Sequence, residues 1–211
     1  YVKAFWDGQQ MVYGDGDGKL FTEMYLSPDV IAHELTHGVT QNESALRYEG
    51  ESGALNESFS DVMGAVFNQW LNNWTVTEAK GWLIGAGIVA AAAKSNGFTA
   101  LRDMLHPAAA HCLAPQPQSY SEIDPTADVH DNSGVPNKAF ALFARALGGH
   151  AWAMAVKVWY QAAISRALRS DATFAEFAAL TLVSSAKVGD AALADQCAAA
   201  WLEVGVTPKG P

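Results

Sequence analysis

Ser27-Pro28-Asp29-Val30-Ile31-Ala32-His33-Glu34-Leu35-Thr36-His37-Gly38-Val39-Thr40 is the stretch from which the rest of the chain can be read. Ser27 suits a helix cap, Pro28 the first helical position, and Asp29 the positive end of the helix dipole. The spacing predicts a helix over 28–42. Within it, His33-Glu34-Leu35-Thr36-His37 places two imidazoles four residues apart on one face with Glu34 beside them. That pattern lets both rings reach one cation. A catalytic zinc takes three protein ligands and leaves its fourth position open. Glu57 in Asn56-Glu57-Ser58-Phe59-Ser60-Asp61, twenty positions after His37 on a second predicted helix, is the candidate third ligand. On residue type alone it would equally be an exposed helix acid.

Outward from this core, residues 1–26 read as β-structure. Val2 to Trp6 and Gln10 to Tyr13 are strand-like, separated by the turn signal Asp7-Gly8. Asp15-Gly16-Asp17-Gly18 invites a calcium-loop reading, but Lys19 and Leu26 stand where such a loop needs ligands, so a glycine-rich turn is expected. Beyond the first helix, further helices are expected near 54–72, 98–104, 134–147, 150–168, 173–186 and 190–203. His106 to His130 is expected to be a long irregular loop, a kind of segment that is usually functional inside a compact domain. The start at Tyr1-Val2-Lys3-Ala4-Phe5-Trp6 reads like the middle of a strand, and a segment removed upstream is expected.

Bulk properties narrow the function classes. Half of the 211 residues are hydrophobic, seven are Trp and 17% are charged, a core-forming composition. The formal net charge of −9 argues against nucleic acid and against anionic membrane surfaces as partners. The longest apolar stretch, Trp82 to Ala93, is too short to cross a bilayer. Cys112 and Cys197 lack metal-type spacing and are either bridged or two buried thiols.

Three motifs, His33 to Thr40, Glu51-Ser52-Gly53-Ala54-Leu55-Asn56-Glu57 and Asn132-Ser133-Gly134-Val135-Pro136-Asn137-Lys138-Ala139, closely resemble those of the thermolysin-like neutral metalloproteases, particularly the protealysin-like branch. Phe5-Trp6-Asp7-Gly8 and Tyr13 to Gly18 belong to the same pattern, so the resemblance covers essentially the whole chain. It implies an α+β fold. A short β-rich N-terminal part with the zinc helix (1–48) would be followed by a mainly α-helical C-terminal domain (49–211), with the active site in the cleft between them.

For function, the resemblance implies a secreted or periplasmic zinc endopeptidase that cleaves on the amino side of hydrophobic residues by zinc-activated water. His33, His37 and Glu57 would be the ligands and Glu34 the general base. Asn56 and Asp61 would fix the ligand imidazoles. Tyr48 and His130 would stabilise the oxyanion, and Arg102 would hold a substrate carbonyl; on bare sequence these three are a half-buried aromatic, a loop His and a solvated helix charge. Lys3 and Ala4 would line the substrate edge strand. Phe21, Met24, Val30 and Leu101 would form the pocket after the cleaved bond, although they would serve equally well as core.

Three departures from the pattern matter. Lys3 replaces an Asn and can only donate. Pro125 replaces the Asp that orients His130, leaving Asp124 or, preferably, Asp128 for that role. The family's double calcium site is expected to be absent, since Asn68, Gly81, Leu83 and Ala86 stand at its acidic positions and Asp29 alone remains. The expected partners are a peptide or protein substrate and an upstream β-rich segment or propeptide. Two rivals stand beside the endopeptidase: a catalytically impaired relic or peptide-binding module of the same fold, and an aminopeptidase. The latter lacks an identifiable acid to hold a free substrate amine.

Overall fold

The computed structural model of the protein describes residues 1–210. Two short strands, β1 (Ala4–Trp6) and β2 (Met11–Tyr13), form an antiparallel hairpin in which Ala4 pairs with Tyr13 and Trp6 with Met11. Its turn is made by Asp7, whose Oδ1 accepts the N–H groups of Gln9 and Gln10 at 2.9 and 2.8 Å. Asp17 does the same further on, accepting from Lys19, Leu20 and Phe21 at 2.8–3.0 Å. The Asp15–Gly18 run is therefore a turn closed by its own side chain. The expected strands are trimmed to these three-residue stretches of regular pairing, although the Gly14 N–H still reaches the Lys3 carbonyl at 2.8 Å beyond them.

Helix α1 (Pro28–Asn42) begins with Pro28 as expected, but Ser27 does not cap it. The Ser27 hydroxyl is taken by the buried Asp29 carboxylate instead. Helix α2 (Gly50–Asn72) starts earlier than expected and ends at Asn73, which adopts a left-handed conformation with φ 52°. The two helices lie against each other, and Gly64 sets the approach: a Cβ there would meet the backbone oxygen of Asp29 at 2.6 Å. Gly38 of α1 gives the same room to β1, since a Cβ on it would meet the Trp6 ring at 3.1 Å.

The helix expected over 98–104 is not there. Strand β3 (Leu83–Ile84) pairs with β4 (Arg102–Asp103) instead, and the nearest helix is α3 (Ala91–Ser95). This pairing joins segments nearly twenty residues apart, which local periodicity cannot register. It also puts Arg102 in the interior rather than on a solvated helix face.

Apart from a single 3-10 turn (Tyr120–Glu122), the segment after His106 is irregular until α4 (Val129–Asn132), so His130 sits on a short helix rather than in a loop. Helices α5 (Gly134–Leu147), α6 (Ala155–Ala163), α7 (Phe174–Val188) and α8 (Ala191–Glu203) complete the fold. Only the middle of the helix expected over 150–168 forms. α7 opens with a capping box between Thr173 and Glu176. These helices enclose the main core around Trp159, whose ring stacks on Trp201 at 5.7 Å and contacts Phe140, Phe143 and Phe177. Such aromatic burial dominates the stability of a helical core. A smaller cluster of Met24, Val30 and Ile88 joins the hairpin to α1. The architecture is α+β, with a small β part ahead of a helical body. Cys112 and Cys197 are buried free thiols, and burial pushes the Cys112 thiol up to about 11. Among the described residues no helix is long and apolar enough to cross a membrane.

Candidate metal centre and cleft

The 3.6-residue period of α1 brings His33 and His37 onto the face that packs on α2, and their Nε2 atoms lie 3.1 Å apart. From α2, Glu57 meets them: Oε2 is 3.3 Å from His33 Nε2 and Oε1 is 3.4 Å from His37 Nε2. One ligand atom from each of the three lies within 4.8 Å of the others. Glu57 is fully buried, and its Oε2 has no hydrogen-bond partner. A buried carboxylate oxygen left unbonded beside two imidazole nitrogens is costly unless a cation joins them. The three residues thus fit a zinc ion by position and by donor chemistry.

The outer nitrogens of the two rings are held from α2. His33 Nδ1 lies 2.9 Å from Asp61 Oδ1, and His37 Nδ1 lies 2.8 Å from Asn56 Oδ1. Both acceptors require a proton on Nδ1 and leave Nε2 facing the cation position. Burial opposes charge on His33, but its hydrogen bond to Asp61 and the nearby Glu57 carboxylate outweigh it and carry its pKa up to about 10. Burial, reinforced by His33, pushes His37 down. Burial would raise Glu57, yet His33 holds it down at about 2. Asp61 is likewise held low against its burial, chiefly by Arg102.

Arg102, the second partner of Asp61, is also the residue expected at a substrate carbonyl. Arg102 donates from Nε to Asp61 Oδ2 at 2.9 Å and from Nη2 to Oδ1 at 2.6 Å. Asn137, on α5, adds a third bond to Oδ2 at 2.8 Å. The carboxylate that orients His33 is thus fixed from a strand and from a third helix.

Across the cleft, the Tyr48 hydroxyl donates to Glu57 Oε1 and lies 3.3 Å from His130 Nε2, while the ring remains about half exposed. Asp128 caps α4 and places Oδ1 2.5 Å from His130 Nδ1; Asp124 is bonded to Thr126 and Asn132 instead. The position of α4 is also fixed from the irregular segment. Gln116, buried, donates from Nε2 to the His130 carbonyl at 2.5 Å and to Ser133 Oγ at 2.8 Å. A Cβ on Gly134 would meet Gln116 Cβ at 2.6 Å, so the two segments are in close contact.

Sequence reasoning passed over Gln116 and Asn137. Asn137 lies inside a quoted motif, which was its one signal; Gln116 sits in a segment with no periodicity.

Glu34 is buried and lines two adjoining cavities, and burial raises its carboxyl. The larger, of about 820 Å³, runs along Lys3 to Trp6, with Gln41, Leu46 and Tyr48 on its far side. The smaller, of about 320 Å³, is walled by Phe21, Met24, Val30 and Leu101, the four residues expected there, together with Ile84 and Ile88. Lys3, Ala4, His33 and His130 line both, and Arg102 lines the smaller.

Asp29, the acid remaining at the expected calcium position, is buried at the start of α1. It accepts the Gly85 N–H at 2.5 Å as well as the Ser27 hydroxyl, and burial raises its carboxyl. Nearby, Gln69 is buried and donates to the Gly81 carbonyl at 2.9 Å.

This geometry has clear relatives. Residues 1–41 match the model of the thermolysin metallopeptidase catalytic domain, and residues 44–206 match that of the thermolysin metallopeptidase alpha-helical domain. An extracellular metalloprotease of Pectobacterium carotovorum is 45% identical over 98% of this chain and 61% of its own length. Protease PrtS of a Photorhabdus species is 39% identical over 99% of this chain and 58% of its own length. The precursor of protealysin, a metalloproteinase from Serratia proteamaculans, superposes with a TM-score of 0.92 at 42% identity, covering 98% of this chain and 66% of that one. The chain spans about three fifths of the length of these curated relatives. With both family models matched in order along it, the chain belongs to the thermolysin-like metallopeptidases, in their protealysin-like branch.

Proposed function

We propose that this chain carries the active site of a zinc-dependent endopeptidase that cleaves on the amino side of hydrophobic residues. The observation that carries the reading is the convergence of His33, His37 and the unbonded Glu57 Oε2 beside the buried Glu34, where two cavities meet. His33, His37 and Glu57 would hold the metal, which when bound supplies an acidified water and a Lewis acid for the scissile carbonyl. Glu34 would take the proton of the attacking water and return it to the leaving amine; its burial, which raises its pKa, suits that exchange. Tyr48 and His130 would donate to the oxyanion, Asp128 keeping the His130 ring turned toward the cleft. The free edge of β1 offers backbone groups to an extended peptide, and the apolar walls of the smaller cavity favour a Leu, Phe, Ile or Val side chain after the cleaved bond. Arg102, anchored on Asp61, borders that cavity near the place a substrate carbonyl would take.

The functional division would fall at residues 48 and 49, the second part supplying Glu57 and His130. The Serratia relative's being a precursor supports a propeptide as a partner, and the Pectobacterium relative's extracellular name supports secretion. No double calcium site is proposed, because the oxygens of Asp29 are taken by Ser27 and Gly85. Metal analysis joined to a cleavage assay tests the reading. Stoichiometric zinc and chelator-sensitive cleavage before apolar residues are expected; zinc without cleavage would favour a peptide-binding relic.

A further inference from the structure

Lys3 is a charged cleft residue whose charge the reaction does not use. It precedes the strand β1, whose outer edge is free, and it lines both cavities. The Lys and Arg ion pairs among the described residues are Arg47–Glu49, Lys80–Glu78, Arg102–Asp61 and Arg169–Asp171, so no carboxylate balances Lys3. Arg102, the other cation at the smaller cavity, differs in kind: it is buried, and Asp61 grips it through two nitrogens. Apart from His33, Glu34 and His130, the remaining wall of that cavity is apolar, with Phe21, Met24 and Ile88 among its side chains. Glu34 is the one carboxylate in that lining; it is buried on α1 beside His33, whereas Lys3 is exposed at the start of the edge strand.

An apolar pocket with an unpaired, solvated cation at its border suits a ligand that carries an apolar side chain and an anion a few bonds apart. Lys donates only, and a carboxylate accepts only, so the two match in hydrogen bonding as well as charge. In a peptide, that pair of groups occurs together at the C-terminal end. We propose that Lys3 recognises the free C-terminal carboxylate of a peptide whose last residues occupy the smaller cavity, so that the chain trims apolar residues from C-termini as well as cleaving internally. This rests on the endopeptidase reading above. The chemistry is the same hydrolysis: the water oxygen joins the carbonyl carbon, the C–N bond breaks, and a proton passes to the departing amine. No further reactant is needed.

The test uses four peptides and zinc-loaded protein. Three are short, with a Leu after the bond to be cut, near the C-terminus: a free acid, its C-terminal amide, and an amide whose final residue is Glu. The fourth is long, with the same bond internal and distant from both ends. The free acid should exceed the plain amide about fivefold in kcat/KM, the upper range for an exposed ion pair. Rising salt should shrink the difference. Lys3→Met should bring the ratio to about one, a charge effect with no counterpart in folding, and Lys3→Arg should keep it. A ratio of one in the parent protein, or a ratio unchanged in Lys3→Met, overturns the proposal. A Glu-ended amide cut as well as the free acid would also overturn it, since Lys3 would then read any acidic side chain. Failure to cut the long peptide with zinc bound would instead defeat the endopeptidase reading.

Discussion

Removing the Glu34 carboxylate should separate metal binding from chemistry, because Glu34 shares a helix with His33 and His37 and is not itself one of the three converging groups. Glu34→Ala is expected to retain one zinc and to lower kcat by roughly 10²–10⁴-fold, the usual weight of a positioned acid–base group. Loss of zinc in this variant, or retained turnover, would reject the assignment. Gln116 acts one step further out, through the backbone of His130. Truncation to Ala removes bonds to the His130 carbonyl and Ser133 that contribute about 1 kcal/mol each, so kcat should fall by up to about thirtyfold with KM little changed. The sharper reading is a double-mutant cycle. If Gln116 works by placing His130, Gln116→Ala should add almost nothing in a His130→Ala background; additive losses would reduce it to ordinary packing.

Helices α1 and α2 hold the centre because their backbones come close, and Gly64 is where the closeness is set. Ala is favoured over Gly in a helix interior by about 1 kcal/mol. Here a Cβ would meet the Asp29 backbone oxygen at 2.6 Å, and neither backbone can give way. Overpacking of this kind costs about 1–3 kcal/mol, so Gly64→Ala should be destabilising in chemical unfolding despite the better propensity. Zinc affinity should fall with it, because the two helices carry all three ligands. A stabilised variant would mean that the helices can slide apart freely.

The same elements mark what could be read in advance. The metal helix and its first-turn proline are local patterns with one strong period, and they were legible; Glu57, by type alone an exposed helix acid, was singled out through the family motif around it. So were most of the C-terminal helices, whose apolar spacing is regular. Arg102 was assigned to a helix because β3 and β4 have two residues each, too few to leave a period. Gln116 and the Asn137–Asp61 bond were invisible for a related reason: long-range hydrogen bonds leave no trace in spacing.

At the scale of the whole molecule, the question is what the fold uses where relatives are expected to hold calcium. Calcium takes six to eight oxygens and needs several carboxylates for its charge. Asp29 is one carboxylate, and it already joins the start of α1 to Gly85, ahead of Ile88 in the smaller cavity's wall. Gln69 makes a parallel bond from α2 to Gly81. Hydrogen bonds thus tie both α1 and α2 directly to the 81–88 segment. Because burial raises the folded pKa of Asp29 above its ordinary value of 3.8, the folded state binds that proton more tightly than the unfolded chain. The stability contributed is then full below about pH 4 and is lost as pH rises through the raised value. Asp29→Asn should therefore be at least as stable as the parent at pH 7, with the difference shrinking toward pH 4, as followed by urea unfolding. Calcium binding predicts the opposite at pH 7, since the variant would lose its one carboxylate. The direct check is thermal unfolding at fixed zinc, with and without millimolar calcium. An ion present at 1,000 times its dissociation constant stabilises by about 4 kcal/mol, which at this size raises Tm by roughly ten degrees. No such shift is expected, and one of that size, abolished in Asp29→Asn, would show that calcium and not the Asp29–Gly85 bond joins these elements.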